Sequence, residues 1–270
     1  DARSSFGAVF NYDLYLNDTD DSGTYLAAWN ELRVFDSWGT VSSTGQWRHS
    51  FNGVTRSGTG DGFLRYDTTW RFTDEQRLLT FEAGDLITAA LPWSSSVRVG
   101  GLQLSRDFAA RPDLVTYPLP AFAGEAAVPT SLELFINGYR TSTTDLQPGP
   151  YTLTNVPFIN GAGEAVVVTT DTLGRQVSTT LPFYVTSNLL QKGLTDYAVA
   201  AGSLRRDYGV RDFGYGPGVA SASLRHGLSD TFTLEAHAQT AESLMLGGLG
   251  TNMRLGQFGV LNAALAQSRS

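Results

Sequence analysis

The stretch INGYRTSTTDLQPGPYTL, Ile136 to Leu153, sets an Asn-Gly and a Pro-Gly-Pro between short alternating runs. Leu132, Leu134 and Ile136 alternate into Asn137-Gly138, a pair that supplies the positive φ angles of a two-residue hairpin turn. Pro148-Gly149-Pro150 forces a second turn before Tyr151 and Leu153. Further on, Asn160 to Gly163 is a third breaker, Glu164 to Thr170 is rich in β-branched residues, and Thr172-Leu173-Gly174 turns into Gln176 to Leu181. About five or six short strands at a spacing of roughly 8 to 12 residues predict a small β-sandwich over 128–185. A unit of that size folds alone only marginally. Its first and last strands bring its ends together, so it fits inside a loop of a larger sheet.

Outside this unit the rhythm lengthens. Phe6, Ala8, Phe10, Tyr12, Leu14 and Leu16 share one phase of a period-two pattern. Leu64, Tyr66, Thr68, Trp70 and Phe72 oppose Phe63, Arg65, Asp67, Thr69 and Arg71. Leu26, Ala28, Leu32 and Val34 oppose Glu31 and Arg33, and Phe232, Leu234, Ala236 and Ala238 oppose Glu235 and His237. Further strands are predicted at 41–51, 78–86, 97–106, 196–206, 219–227, 244–254 and 257–267, the last two ambiguous in phase. These runs are about 10 to 13 residues long, against five or six for an ordinary strand, and short polar turns join them. Length and turns together predict an up-and-down meander. A soluble sheet packing its apolar face on a partner would strand Tyr15, Trp29 and Phe63 among charges on its wet side. A barrel wall in lipid explains the charge-free phase instead, since Arg or Lys at the lipid midplane costs roughly 2 to 4 kcal/mol. Tyr12, Trp38, Trp47, Trp70 and Phe72 suit interfacial aromatic girdles, and core packing explains them almost equally well.

Composition narrows the class. The chain has 270 residues, a formal net charge of −7 and scattered basic residues, which excludes a nucleic-acid partner of the usual basic kind. It has no cysteine, hence no disulfide, thiolate metal site or cysteine nucleophile. No apolar run is long enough for a transmembrane helix, while the mean hydropathy of −0.13 says nothing about barrel strands, whose signal is alternation.

Three segments carry a family resemblance: Gly84 to Phe108 (GDLITAALPWSSSVRVGGLQLSRDF), Pro118 to Gln176, and Gly193 to Gly209 (GLTDYAVAAGSLRRDYG). Their order of a G-D strand, G-x-Q-L, a P-x-x-x-G-x-A linker, V/I-N-G, P-G-P-Y-x-L, D-x-x-G-R and L-x-D-Y resembles the central part of a fimbrial outer-membrane usher of the chaperone-usher pathway. The resemblance implies an all-β fold, part of a large transmembrane antiparallel barrel with an Ig-like sandwich inserted as a plug after the sixth strand. The division implied is 1–127 for about six wall strands, 128–185 for the plug and 186–270 for about five more. Family members also carry a signal peptide, periplasmic terminal domains and further wall strands, so the 270 residues are expected to be a central fragment.

By the same resemblance the protein lies in the bacterial outer membrane, in contact with lipid, and is an outer-membrane pore that assembles and secretes pilus subunits delivered by a periplasmic chaperone. No cofactor and no metal is implied, and pairing of the full-length protein as a homodimer is left open. The side chains expected to face the lumen and touch the plug are Glu31, Arg33, Arg65, Asp67, Arg71 and Glu235. Each hydrated contact is worth on the order of 0 to 1 kcal/mol, so the plug is held weakly enough to move. No nucleotide-binding loop is present, and family logic assigns the drive to strand exchange between subunits. Two other readings stay open. A soluble two-domain β module binding carbohydrate through Trp and Tyr would purify without detergent. An enzyme would have to use His49, His226 and His237, none in a metal-ligand pattern, or the carboxylates Asp20-Asp21 and Asp74-Glu75 in apparent turns, and none is expected.

Overall fold

The computed structural model describes residues 5–19, 23–51, 61–126, 128–154, 160–171 and 173–270; Asp20, Asp21 and Thr172 lie outside them. Six long strands come first: β1 (Gly7–Thr19), β2 (Gly23–Asp36), β3 (Gly39–Ser50), β4 (Gly62–Asp74), β5 (Leu79–Ile87) and β6 (Arg98–Arg106). Six strands of the insert follow: β7 (Ala121–Ala126), β8 (Thr130–Ile136), β9 (Tyr139–Leu146), β10 (Gly149–Thr154), β11 (Gly161–Asp171) and β12 (Gln176–Val185). Five long strands complete the chain: β13 (Thr195–Arg205), β14 (Tyr215–Ser229), β15 (Phe232–Ala241), β16 (Leu244–Arg254) and β17 (Val260–Arg269).

The long strands form one antiparallel sheet in the order β1 to β6, then β13 to β17. The decisive register is β6 against β13, Leu104 opposite Val199 and Gln103 opposite Ala200, because it closes the ladder across the insertion. The insert is a sandwich of a four-stranded sheet, β12-β11-β8-β9, and a two-stranded one, β10-β7. Its core is Phe122, Leu132, Leu134, Ile136, Ala165, Val167, Phe183 and Val185. Pairing of β7 with β10 carries the unit back to Ala121, ahead of the boundary at Val128 expected from the motifs: Phe122 sits opposite Leu153 and contributes its ring to the core.

Local chemistry sets the turns. Asn137 (φ 48°) and Gly138 (φ 84°) both lie in the left-handed region, as the Asn-Gly hairpin requires. Asn137 also accepts the Glu164 N–H on Oδ1 at 2.8 Å, tying that turn to β11. The Asp171 carboxylate accepts the N–H groups of Leu173 and Arg175 at 2.9 Å each, which explains the D-x-x-G-R turn.

The long sheet has the reverse of a soluble protein's sidedness. One face exposes Leu102 (66%), Leu249 (63%) and Leu265 (84%), whereas the other buries Glu235 (2%), Thr233 (0%) and Asn252. Apolar out and polar in is the pattern of a wall in lipid. Trp38 and Trp47 stand exposed on the wall rather than in a core. Trp70 lies opposite Val41, six residues along β3 from Trp47. That separation is roughly 20 Å at the antiparallel rise, comparable to the ~25 Å apolar band of outer-membrane barrels.

Alternation fails in one place. Between Ser43 and Gly45 the β3–β4 register shifts, so Tyr66 and Asp67 of β4 together oppose Thr44. This bulge reverses the phase of β4. Leu64 and Tyr66, expected on the lipid side with Trp70, instead share a face with Gln46 and Trp29, the side of Glu31.

Candidate functional site

The inner face of the wall is where polar chemistry concentrates, and two chain segments fold onto it. The first is the β5–β6 loop, 88–97. Thr88 N–H to Val97 O (2.9 Å) and Leu91 N–H to Ser94 Oγ (2.8 Å) tighten it, and Ala89 N–H donates to Gln103 Oε1 (3.0 Å). Its tip residue Trp93 donates its indole N–H to Glu235 Oε2 at 2.8 Å and meets the His237 ring edge-on. Gly248 and Gly250 of β16 make room for the indole: a Cβ on either would stand 2.7 Å or less from it.

The second segment is the tether from the sandwich back to β13, Thr186 to Leu194. Leu189 and Leu190 are buried, and Leu190 N–H donates to Thr233 Oγ1 at 2.8 Å. The Asn188 carbonyl accepts from Arg225 Nη2 (2.7 Å) and Asn252 Nδ2 (3.3 Å). Gly193 and Leu194 pair with the backbone of Gly227, where a Cβ would meet Gln191 O at 2.2 Å. Glu235 joins the two segments. Beside Trp93 it accepts Arg225 Nε (3.1 Å) and Asn252 Nδ2 (2.7 Å), so its buried charge is fully hydrogen-bonded. Between loop, tether and wall lies a cavity of about 830 Å³ that includes Arg71, Glu82, Asp196 and Glu235 in its lining.

Inward folding of the β5–β6 hairpin opens a split in the wall. The β4–β5 ladder stops at Thr69 opposite Gly84, although β4 continues to Gly62. The row Gly84, Gly101, Gly202 runs straight across β5, β6 and β13. A Cβ on any of them would lie 2.1 to 2.4 Å from a neighbouring carbonyl oxygen. Side chains replace the missing ladder: Thr68 N–H goes to Asp85 Oδ2 (3.0 Å) and Arg65 N–H to Asp212 Oδ1 (2.7 Å) of the β13–β14 loop. Arg65, Asp85, Arg205 and Tyr215 then form one cluster, Asp85 accepting from Arg65 and from Tyr215 Oη. Next to it Arg98 Nη1 donates to both oxygens of the Asp67 carboxylate, and Tyr208 donates to the same group. In the β13–β14 loop, burial raises the Tyr208 phenol above its ordinary range, and the Asp67 charge adds to this.

The six side chains expected to touch the sandwich thus fall into two groups. Glu31, Arg33, Arg71 and Glu235 are on the inner face: Glu31 takes Arg33 and Asn11, and Arg71 takes Asp107 and Glu82. Arg65 and Asp67 are at the split, moved there by the bulge. Among the described residues, all their side-chain bonds run to the wall and its loops, and none to the sandwich. Trp93, Arg225 and Asn252 were missed because their partners lie 142, 10 and 17 residues away from them at Glu235. Of the proposed enzyme carboxylates, Asp74 caps its turn by accepting from Gln76 and Arg77 N–H.

A sheet that is apolar outside and hydrogen-bonded within, carrying a sandwich between adjacent strands, defines a transmembrane β-barrel wall with an inserted domain. Residues 64–270 match the family model of the outer membrane usher protein, and the chain belongs to that family, which places it in the outer membrane. It is 25% identical over 175 residues to the F1 capsule-anchoring protein of Yersinia pestis, covering 65% of this chain and 21% of the relative. With the outer membrane usher protein FocD of Escherichia coli it shares 26% identity over 271 residues, covering 97% of this chain and 30% of that one. In fold it is similar to a chain of the E. coli P pilus tip assembly intermediate PapC-PapD-PapK-PapG (TM-score 0.67, 17% identity, 98% of this chain and 33% of that chain). The P pilus usher (PapC) translocation pore is a second likeness (TM-score 0.51, 18% identity, 97% and 53%). The chain spans between 21% and 30% of the length of these curated relatives.

Proposed function

We propose that this chain is the central wall and plug of an outer-membrane pore that assembles and exports pilus subunits handed over by a periplasmic chaperone. One observation carries the reading: β6 and β13 pair directly across the sandwich, whose two linkers meet at Gln191 N–H to Thr116 O (2.7 Å). A domain attached where β6 and β13 pair directly can be seated in the bore or withdrawn without disturbing that ladder. The PapC-PapD-PapK-PapG assembly, to which the fold is similar, supports a chaperone and subunits as partners. The chemistry asked of the protein is passage and gating, with no catalytic step. Of the six polar residues named from sequence, half-exposed Arg33 and Arg71 are the ones free to act on the sandwich when it sits in the bore, while Glu235, Arg65 and Asp67 are held by the wall and its loops. A soluble carbohydrate-binding module would leave Leu102, Leu249 and Leu265 in water while burying Glu235 and Asn252, against the cost of both.

The test is deletion of residues 121–185 from the full-length protein, with a short Gly-Ser bridge. Outer-membrane permeability to large antibiotics and single-channel conductance in planar bilayers should both rise. Conductance equal to that of the intact protein would remove the gating role.

A further inference from the structure

The two linkers of the sandwich are not equivalent. On the carboxyl-terminal side, Asn188, Leu190, Lys192, Gly193 and Leu194 all bond to β14, the β14–β15 turn, β15 or β16, with Leu189 and Leu190 buried beneath. From Phe108 to Pro120 the hydrogen bonds of the other linker are local, as in Arg111 with Asp113, or run to the tether at Thr116. The sandwich itself has no hydrogen bond or ion pair to the wall among the described residues, yet the tether is fully docked. The tether's bonds to the wall are therefore made without help from any hydrogen bond or ion pair of the sandwich. Glu235 fixes both Arg225 and Asn252, the two donors that hold Asn188, and the same carboxylate holds the hairpin tip through Trp93.

We propose that Thr186–Leu194 is a fixed pivot: it stays on the inner face of β14–β16 while the sandwich enters or leaves the bore, and the rotation is taken up at Val185–Thr186 and within Phe108–Pro120. This rests on the gating reading above. It makes the motion a swing about one attachment, with the longer linker paying out on the other side. It also makes tether and hairpin one static layer. A rigid anchor of this kind returns the sandwich to the same place after each excursion, which a domain on two loose linkers does not do.

The 270 residues contain no cysteine, and with any thiol elsewhere in the full-length protein replaced by serine, introduced pairs can be joined selectively. In the full-length protein, Asn188→Cys with Asn252→Cys, or with the exposed Asn262→Cys opposite it if the buried position impairs assembly, is bridged by a short bis-maleimide. A second protein carries Thr116→Cys with Gln191→Cys. In planar bilayers the tether-to-wall bridge should leave opening frequency within about twofold of the unbridged protein, whereas the linker-to-tether bridge should lower it about tenfold or more. A tenfold loss with the tether-to-wall bridge would overturn the pivot. Hydrogen exchange gives an independent reading: Leu190, Gly193 and Gly227 amides should stay equally protected after deletion of 121–185. Loss of protection there overturns the pivot even if the deletion opens the pore, and a deletion that leaves conductance unchanged overturns pivot and gating together.

Discussion

The indole of Trp93 and the carboxylate of Glu235 meet at 2.8 Å although 142 residues separate them, and this bond seats the β5–β6 hairpin against β15. A hydrogen bond to a buried charged group contributes about 1.5 to 3 kcal/mol. Trp93→Phe keeps an aromatic ring and deletes the donor, leaving Glu235 with Arg225 and Asn252. Undocked hairpin should then be roughly 10- to 100-fold more populated, at about 1.4 kcal/mol per decade. Brief current openings of the full-length pore should rise in frequency accordingly. An unaltered opening rate would separate the hairpin from the gate.

The glycine row makes a sharper structural demand. A Cβ at residue 202 would stand 2.4 Å from Gly100 O and 2.6 Å from Gly101 Cα, backbone atoms that cannot swing aside. Gly202→Ala should therefore force the hairpin base apart, with strain on the order of 1 to 3 kcal/mol. Gly218→Ala, in the same wall with nothing within 4 Å, is the matched control. The 202 variant should lose its compact, heat-modifiable band on gels at a lower temperature than the control. Equal temperatures for the two would show that the row is not under steric load.

Period two revealed the wall, and turn chemistry revealed the sandwich, because both are local: Asn137-Gly138 must turn, and Phe232 to Ala238 must alternate. Six wall strands stand before the insert and five after it, and Glu31, Arg33, Arg71 and Glu235 share the polar face of that sheet; that they act on the sandwich belongs to the proposal above. What local pattern could not carry was register. A single bulge opposite Thr44 reversed Leu64 and Tyr66 and moved Arg65 and Asp67 to the split. The Glu235 joint was equally invisible, since Trp93, Asn188 and Asn252 come together only when two loops fold onto the inner face. Gly84, Gly101 and Gly202 were the available hint, being glycines inside strands where none is needed for a turn.

The Asp171 turn has a definite pH dependence. Its carboxylate is held below the ordinary Asp range, chiefly by the Arg175 N–H, then by the Arg175 guanidinium and the Leu173 N–H. A depressed folded value means the contribution is present above the unfolded-chain value and is lost as pH falls through the folded one. Exchange at the Leu173 and Arg175 amides, corrected for intrinsic rates, should accelerate on acidification through that range. Asp171→Ala should show the faster exchange already at neutral pH, with no further acid step. A wild-type profile that is flat in acid would mean the carboxylate does not hold the turn.

Leu249 decides between lipid and water as the wall's outer solvent. It sits at the middle of β16, 63% exposed, opposite Ala236 on β15 and Leu265 on β17. On a soluble protein, an exposed Leu→Arg change is worth within about 0.5 kcal/mol, since the long side chain simply extends into water. At the midplane of a bilayer the same change costs roughly 2 to 4 kcal/mol, because the guanidinium must be desolvated or pull water and headgroups inward. Reversible unfolding of the full-length protein in lipid vesicles should show Leu249→Arg destabilised by that larger amount. Leu255→Arg, beyond the end of the strand and also exposed, should cost much less, since the penalty falls toward the interface. If both variants unfold at the wild-type denaturant concentration, the outer face does not meet lipid and the wall is not a membrane barrel.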